Sequence, residues 1–267
     1  MNKYLSVSAI FNYNFIMNNW FSVIGKNCEL SARTVQDLFD FGFVVIPGSV
    51  KSDDVAQLKT AYDSAFLSAS SDDIRIGSTS TRVNDFVNRG EAAEFDSLYI
   101  YQPLLEACHH VIGQPFKLSS MHARTLHPNI PAQNLHIDFK PDEEKFPLVS
   151  FILMVDEFRT DNGATRFVPG SHKWSANPNK LSNDALAEYE KQTQTACGQA
   201  GSMIIFNGSV WHGYSANLTS RPRRSIQGAF IPREEQAATD FSSRMRPESL
   251  ARISLLSKYL LGISNSD

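Results

Sequence analysis

Between Phe116 and Ile231 the chain breaks into five short runs of strand type: Phe116 to Leu126, Val149 to Val155, Thr165 to Val168, Ser202 to Phe206 and Ser225 to Ile231. Gly, Pro and Asn turns separate them. The N-terminal part reads differently, with apolar residues at helical spacing. Helices first and uninterrupted short strands afterwards argue for a helix-backed antiparallel sandwich or barrel rather than βαβ units. The expected fold class is therefore mainly β with flanking helices, and a jelly roll is its natural form.

The helical part has clear boundaries. In SARTVQDLFDFGFVVIPG, Ser31 is a candidate N-cap, and an apolar strand follows that stops at Pro47-Gly48. Ser52 and Asp53 cap a second helix in which Val55, Leu58, Ala61, Tyr62 and Ala65 form one apolar face. Ser68 to Ser80 reads as a surface loop. Leu104 to Ile112 is a third amphipathic helix, ended by Gly113 and Pro115, and RISLLSKYLLGI near the end is helical again.

A length of 267 residues suits one domain, with residues 1–30 as a disordered extension and 31–267 as the folded unit closed by a C-terminal helix. Met17 is an alternative natural start to Met1. The 25 basic and 28 acidic residues are dispersed, with no basic run to neutralise a phosphate backbone, so nucleic acid is not an expected partner. No stretch reaches the ~20 apolar residues of a membrane helix. Asn12, Asn14, Asn18 and Asn19 interrupt any signal-peptide core. Cys28, Cys108 and Cys197 are odd in number and far apart, which fits neither a disulfide framework nor a cysteine zinc site. The expected compartment is the reducing cytoplasm, and a homo-oligomer is left open.

Chemistry enters at QNLHIDFKP. His136 and Asp138 are two apart, and on extended backbone such residues share a face. His212, in GSVWHGYS, follows 212 − 136 = 76 residues later, after SMIIF and an Asn207-Gly208 turn. Two imidazoles and one carboxylate on one face leave the opposite positions of an octahedron free, as iron(II) needs when it must also bind oxygen and a second ligand. The same donors serve zinc, copper and nickel, and a tetrahedral His2Asp zinc site stays open. Arg223 and Ser225 form a second pair on one strand face. An arginine fork with a neighbouring hydroxyl suits the distal carboxylate of 2-oxoglutarate, whose 2-oxo acid end chelates iron. A surface arginine cluster is the bland alternative, since Arg221 and Arg224 lie beside it.

With these residues assembled, the chain resembles the phytanoyl-CoA dioxygenase family of iron(II)- and 2-oxoglutarate-dependent oxygenases, over roughly Thr34 to Pro232. AQNLHID, DNGATRFVPGSHKW and NGSVWHGYSANLTSRPRRSI carry the likeness, which leans toward members that tailor small natural products. The resemblance implies a double-stranded β-helix core of cupin type, a metal triad of His136, Asp138 and His212, and a 2-oxoglutarate arginine at Arg223, 223 − 212 = 11 residues after the distal histidine. Gln133 and Thr165 match further 2-oxoglutarate positions, while His172 reads as structural. The implied cofactors are Fe(II), 2-oxoglutarate and O2. The implied reaction is oxidation, first of all hydroxylation, of a small secondary-metabolite substrate with release of succinate and CO2. Desaturation, epimerisation and ring formation belong to the same class.

Two readings from other classes compete. A non-catalytic jelly roll that binds a metal or small molecule has no need of both constellations. A zinc hydrolase needs a general base beside the metal, for which Glu143 and Glu144 are candidates without a spacing that ties them to the triad. The segment FKPDEEKFP lies where substrate should pass, so no described substrate carries over, and Phe139, Phe146 and Trp211 line either the pocket or the core.

Overall fold

The computed structural model describes residues 19–26, 29–89, 95–139 and 146–263. Most of the extension, Cys28, Glu143 and Glu144 lie outside the described residues. Helix α1 (Ala32–Phe41) begins where the sequence places it, with Ser31 accepting a hydrogen bond from the Thr34 amide, and Gly42 at φ 85° ends it and turns the chain into β1 (Phe43–Ile46). Only glycine adopts that left-handed conformation without strain. Helix α2 (Val55–Leu67) buries Leu58, Tyr62 and Ala65 as predicted. The stretch read as a loop, Ser68 to Ser80, instead contains strand β2 (Ile74–Ile76), which pairs with β3 (Ser80–Val83). Three residues are too few to show an alternation in sequence.

After α3 (Gln102–Ile112) come β4 (Phe116–Leu126), β5 (Val149–Met154) and β6 (Thr165–Phe167). Then follow β7 (Gln194–Thr195), β8 (Met203–Asn207), β9 (His212–Tyr214) and β10 (Arg223–Pro232). The C-terminal helical run divides into α4 (Pro247–Arg252) and α5 (Leu255–Leu260), because Ile253 takes an extended conformation and Ser254 caps the next turn. No helix among the described residues is long and apolar enough to cross a membrane.

The described strands form two sheets. The larger runs β1-β8-β5-β10-β4-β3-β2, antiparallel throughout and not closed, and the smaller runs β7-β6-β9. Strand alternation divides β10 cleanly. Ile226 and Phe230 face outward into a core shared with Tyr62, Leu104 and Leu105 of the covering helices. Arg223 and Gln227 face inward, toward the small sheet. On that inner side, Ile152, Met154, Ile204 and Phe206 meet Phe167 in a second apolar cluster. Apolar packing fills one part of the space between the sheets and leaves a polar cavity in the rest.

Candidate metal centre

A single backbone bridge brings the HxD segment and the distal histidine together. His136 is not in a strand ladder; its backbone forms an isolated antiparallel bridge with His212, each amide donating to the other's carbonyl at 2.9 Å. This bridge does what a strand was expected to do. Gly213 permits it, since a Cβ there would stand 2.9 Å from the Gln133 carbonyl oxygen and 3.0 Å from that of Asn134. No larger residue lets the two segments approach so closely.

One ligand atom each from His136, Asp138 and His212 all fall within 4.8 Å of one another. Both imidazoles are oriented from behind: His136 Nδ1 lies 3.2 Å from the Asn134 carbonyl oxygen and His212 Nδ1 lies 2.9 Å from that of Val210. A proton on each Nδ1 leaves each Nε2 lone pair free for an ion. Ser150 Oγ donates to Asp138 Oδ2 at 2.6 Å and holds the carboxylate in place. Asp138 keeps 28% of its side-chain exposure because it faces an open cavity while protein surrounds it on the other sides. A donor set of two imidazole nitrogens and one carboxylate oxygen, this close together, fits iron(II).

The electrostatics of the cluster are coupled. Burial pushes His136 down to about 4, aided by repulsion from His212, so this ring is neutral. Burial alone would raise the Asp138 carboxyl, but attraction and a hydrogen bond from His212, with the Ser150 bond, hold it below its ordinary value. Burial likewise disfavours a charged His212, yet the facing Asp138, at 3.4 Å, carries its pKa above the usual histidine range. A divalent ion entering between them must displace that favoured proton. Metal affinity is therefore expected to rise with pH through the raised pKa and to fall about tenfold per unit below it, for one displaced proton. Cobalt(II) titrations at pH 6 and pH 8 measure this, and equal affinities would contradict it.

The cavity holding the cluster has a volume of about 310 Å³. Gln133, Thr165 and Arg223 line it with the triad, on the walls made by the 133–138 segment, β6 and β10. Arg223 is 2% exposed, and its Nε and Nη1 have no hydrogen-bond partner among the described residues. Its guanidinium lies 4.0 Å from the centre of the Phe158 ring. Burial, with repulsion from Arg124, pushes its pKa down to about 9, so it remains a cation at neutral pH. Arg224 points to the other side of the strand, into ion pairs with Asp63 and Asp156, and Arg221 is exposed. Ser225 shares the face of Arg223, but its hydroxyl donates to the Arg124 carbonyl at 3.2 Å and is absent from the cavity wall.

Other predicted positions fall elsewhere. Phe139, Phe146 and Trp211 pack in a separate apolar cluster, and His172 bonds the Phe39 carbonyl away from the centre. Ser150, Arg124, His122 and Gln227 line the cavity without having been singled out. A signal for two of them existed: in SSMHARTL, Ser120, His122 and Arg124 alternate with Met121 and Ala123, a polar face inside a domain. A larger groove, about 1020 Å³, runs along α2 past Lys59, Asp63 and Asp156, and ion pairs rather than convergent ligands occupy it.

Ser150→Ala removes the bond that orients Asp138. Metal affinity is expected to fall about 10- to 100-fold, as for other groups that orient a ligand from behind. Iron(II) or cobalt(II) titration checks this, with unchanged affinity as the contrary result.

Two antiparallel sheets thus enclose a His-Asp-His cluster and a buried arginine in one cavity. The phytanoyl-CoA dioxygenase (PhyH) family model matches residues 39–225, and the chain belongs to that family. It is an oxidoreductase of the dioxygenase kind. The multifunctional dioxygenase prhA of Penicillium brasilianum is 28% identical over 251 residues, covering 84% of this chain and 80% of that one. Among solved structures, the non-heme alpha ketoglutarate-dependent carbocyclase SnoK from nogalamycin biosynthesis superposes with a TM-score of 0.65 at 17% identity, over 85% of this chain and 92% of SnoK. EctD from S. alaskensis, with 2-oxoglutarate and 5-hydroxyectoine, does so at 0.67 and 19%, over 84% of each. These structural likenesses concern the fold.

Proposed function

We propose that this chain is an iron(II)- and 2-oxoglutarate-dependent dioxygenase that hydroxylates a C–H bond of a small secondary-metabolite substrate, releasing succinate and CO2. The observation that carries the reading is Arg223, a buried cation with two unpartnered nitrogens in the same cavity as the three convergent ligands. A dicarboxylate that chelates an ion at one end and meets a guanidinium at the other satisfies both. In this reading His136, Asp138 and His212 hold the metal. Arg223, with Gln133 and Thr165 along the wall, binds 2-oxoglutarate, and Ser225 contributes by fixing the Arg124 backbone beside it. One folded unit over 31–267, after an extension at 1–30 whose Trp20 and Ile24 pack into the same core, completes the proposal.

His136, Asp138 and His212 would hold the iron, which would supply oxygen activation coupled to decarboxylation of 2-oxoglutarate, one oxygen atom entering succinate and the other the substrate. The chain supplies the rest. The Nδ1 contacts of His136 and His212 leave the Nε2 of each to face the ion, which on His212 displaces the proton that Asp138 favours. Ser150 holds Asp138, whose carboxylate would fill the metal position that a halide would need, which favours oxygenation over halogenation. Phe158, Phe167 and Phe206 close the apolar end of the inter-sheet space against water.

Ring formation and epimerisation are further outcomes with support, because the same fold carries the carbocyclase SnoK and the epimerase SnoN. A zinc hydrolase has less: Asp138 is the one carboxylate among the described cavity-lining residues. Succinate release from iron(II), 2-oxoglutarate and oxygen without added substrate tests the reading. Slow uncoupled turnover in wild type, absent in His136→Ala, supports it, and none in a folded, iron-loaded wild type contradicts it.

A further inference from the structure

Charge around the metal centre does not cancel. Among the described residues that line the cavity, Arg82, Arg124 and Arg223 are cations and Asp138 is the one carboxylate, an excess of 3 − 1 = 2. A divalent ion and the two carboxylates of 2-oxoglutarate neutralise each other, so their binding leaves this excess unchanged. With Arg223 given to the distal carboxylate, Arg82 and Arg124 remain without a counter-charge.

The fold sets these two side by side. They stand directly opposite each other where β3 pairs with β4, so their side chains leave the same face, while the alternate pair, Val83 and Ala123, enters the helix-covered core. Like charges placed directly opposite on paired strands destabilise the pairing. Neither arginine has a carboxylate partner among the described residues. Arg124 is held from behind instead: its Nε donates to Ser80 Oγ at 3.3 Å, and its guanidinium lies 5.0 Å from the centre of the Tyr214 ring. Nη1 and Nη2 remain for a ligand. Burial, with repulsion from Arg82, pushes the Arg124 pKa down to about 10, so it is a cation at neutral pH. Arg82 is exposed, which leaves the pair open to a molecule entering the cavity.

Resting on the oxygenase reading, we propose that Arg82 and Arg124 clamp an anionic oxyacid group of the substrate, a carboxylate or a phosphate, and thereby fix which carbon faces the metal. Guanidinium forks match the oxygens of either group. The substrate class is then a small acid whose charged end rests on β3 and β4 while the oxidised carbon turns to the metal. A neutral analogue leaves both cations without a partner and is rejected for that reason.

The test is a calorimetric titration of zinc(II)-loaded protein, saturated with 2-oxoglutarate, with cyclohexanecarboxylate, cyclohexyl phosphate and the neutral cyclohexanecarboxamide. At least one anion should bind saturably and the amide should not, and the anion that binds separates the carboxylate source from the phosphate source. Arg124→Met should weaken that binding at least about 30-fold, as for a buried charge pair that loses one partner. Arg82→Met changes an exposed side chain and should weaken it about two- to fivefold, the range of a solvent-screened pair. Either variant should lose far less 2-oxoglutarate affinity than Arg223→Met. Equal binding of acid and amide, no binding of either anion, or a loss of 2-oxoglutarate affinity in Arg82→Met that matches Arg223→Met overturns the proposal. The 2-oxoglutarate charge-transfer band of the iron-loaded protein, recorded on the same preparation, fails separately if the oxygenase reading is wrong.

Discussion

Replacing Arg223 by methionine is expected to make the ligand-free protein more stable while destroying its affinity for 2-oxoglutarate. Without a dicarboxylate the guanidinium is a buried charge whose Nε and Nη1 have no partner among the described residues, offset there by the Phe158 ring. An apolar side chain of similar length removes that desolvation cost, and such exchanges are neutral to stabilising by about 1–4 kcal/mol. For a chain of this size that is a rise of up to roughly 10 °C in Tm. With 2-oxoglutarate the sign reverses, because truncating one partner of a buried charge pair costs about 2–5 kcal/mol, or some 30-fold to several thousandfold in Kd. Differential scanning fluorimetry with and without 2-oxoglutarate reads both effects. Arg224→Ala is the control, since its ion pairs with Asp63 and Asp156 lie outside the cavity. An Arg223→Met protein that is less stable than wild type and still gains stability from 2-oxoglutarate would make Arg223 structural.

Asp138→Ala is expected to have the larger effect on turnover. It removes the one carboxylate of the cluster, leaves the Ser150 hydroxyl without its acceptor, and strips His212 of the attraction that offsets burial, so that the His212 pKa falls. Two neutral imidazoles then remain to hold a divalent ion. Succinate release should drop by more than about 10³-fold, corresponding to the several kcal/mol that a bound ion contributes. Turnover within tenfold of wild type at saturating iron(II) would take Asp138 out of the centre.

The parts of this site that were legible in the sequence are those whose spacing survives folding. His136 and Asp138 share a side because the backbone between them is extended, whether or not it sits in a ladder. Arg223 stood out from Arg221 and Arg224 because Ser225 lies on its face, and that same alternation turns Arg224 outward to Asp156. Helix α1 was readable from Ser31, and α2 from its apolar spacing. What depends on a partner far along the chain was not readable. Ser150 sits in a strand whose six residues are all buried, and only the folded register aims it at Asp138. Gly213 looks like any turn glycine until the 133–136 segment is laid across it. The small sheet escaped because β7 and β9 have two and three residues. Aromatic residues near the motifs misled for the opposite reason: Trp211 adjoins a ligand in sequence, yet alternation sends it into the core at 1% exposure.

The measurement closest to the central claim is an anaerobic titration of the purified protein with iron(II) and 2-oxoglutarate, following the visible metal-to-ligand charge-transfer band. The band should appear with saturable dependence on 2-oxoglutarate, weaken in Arg223→Met and vanish in His136→Ala. A folded, metal-loaded wild type that gives no band would contradict the account.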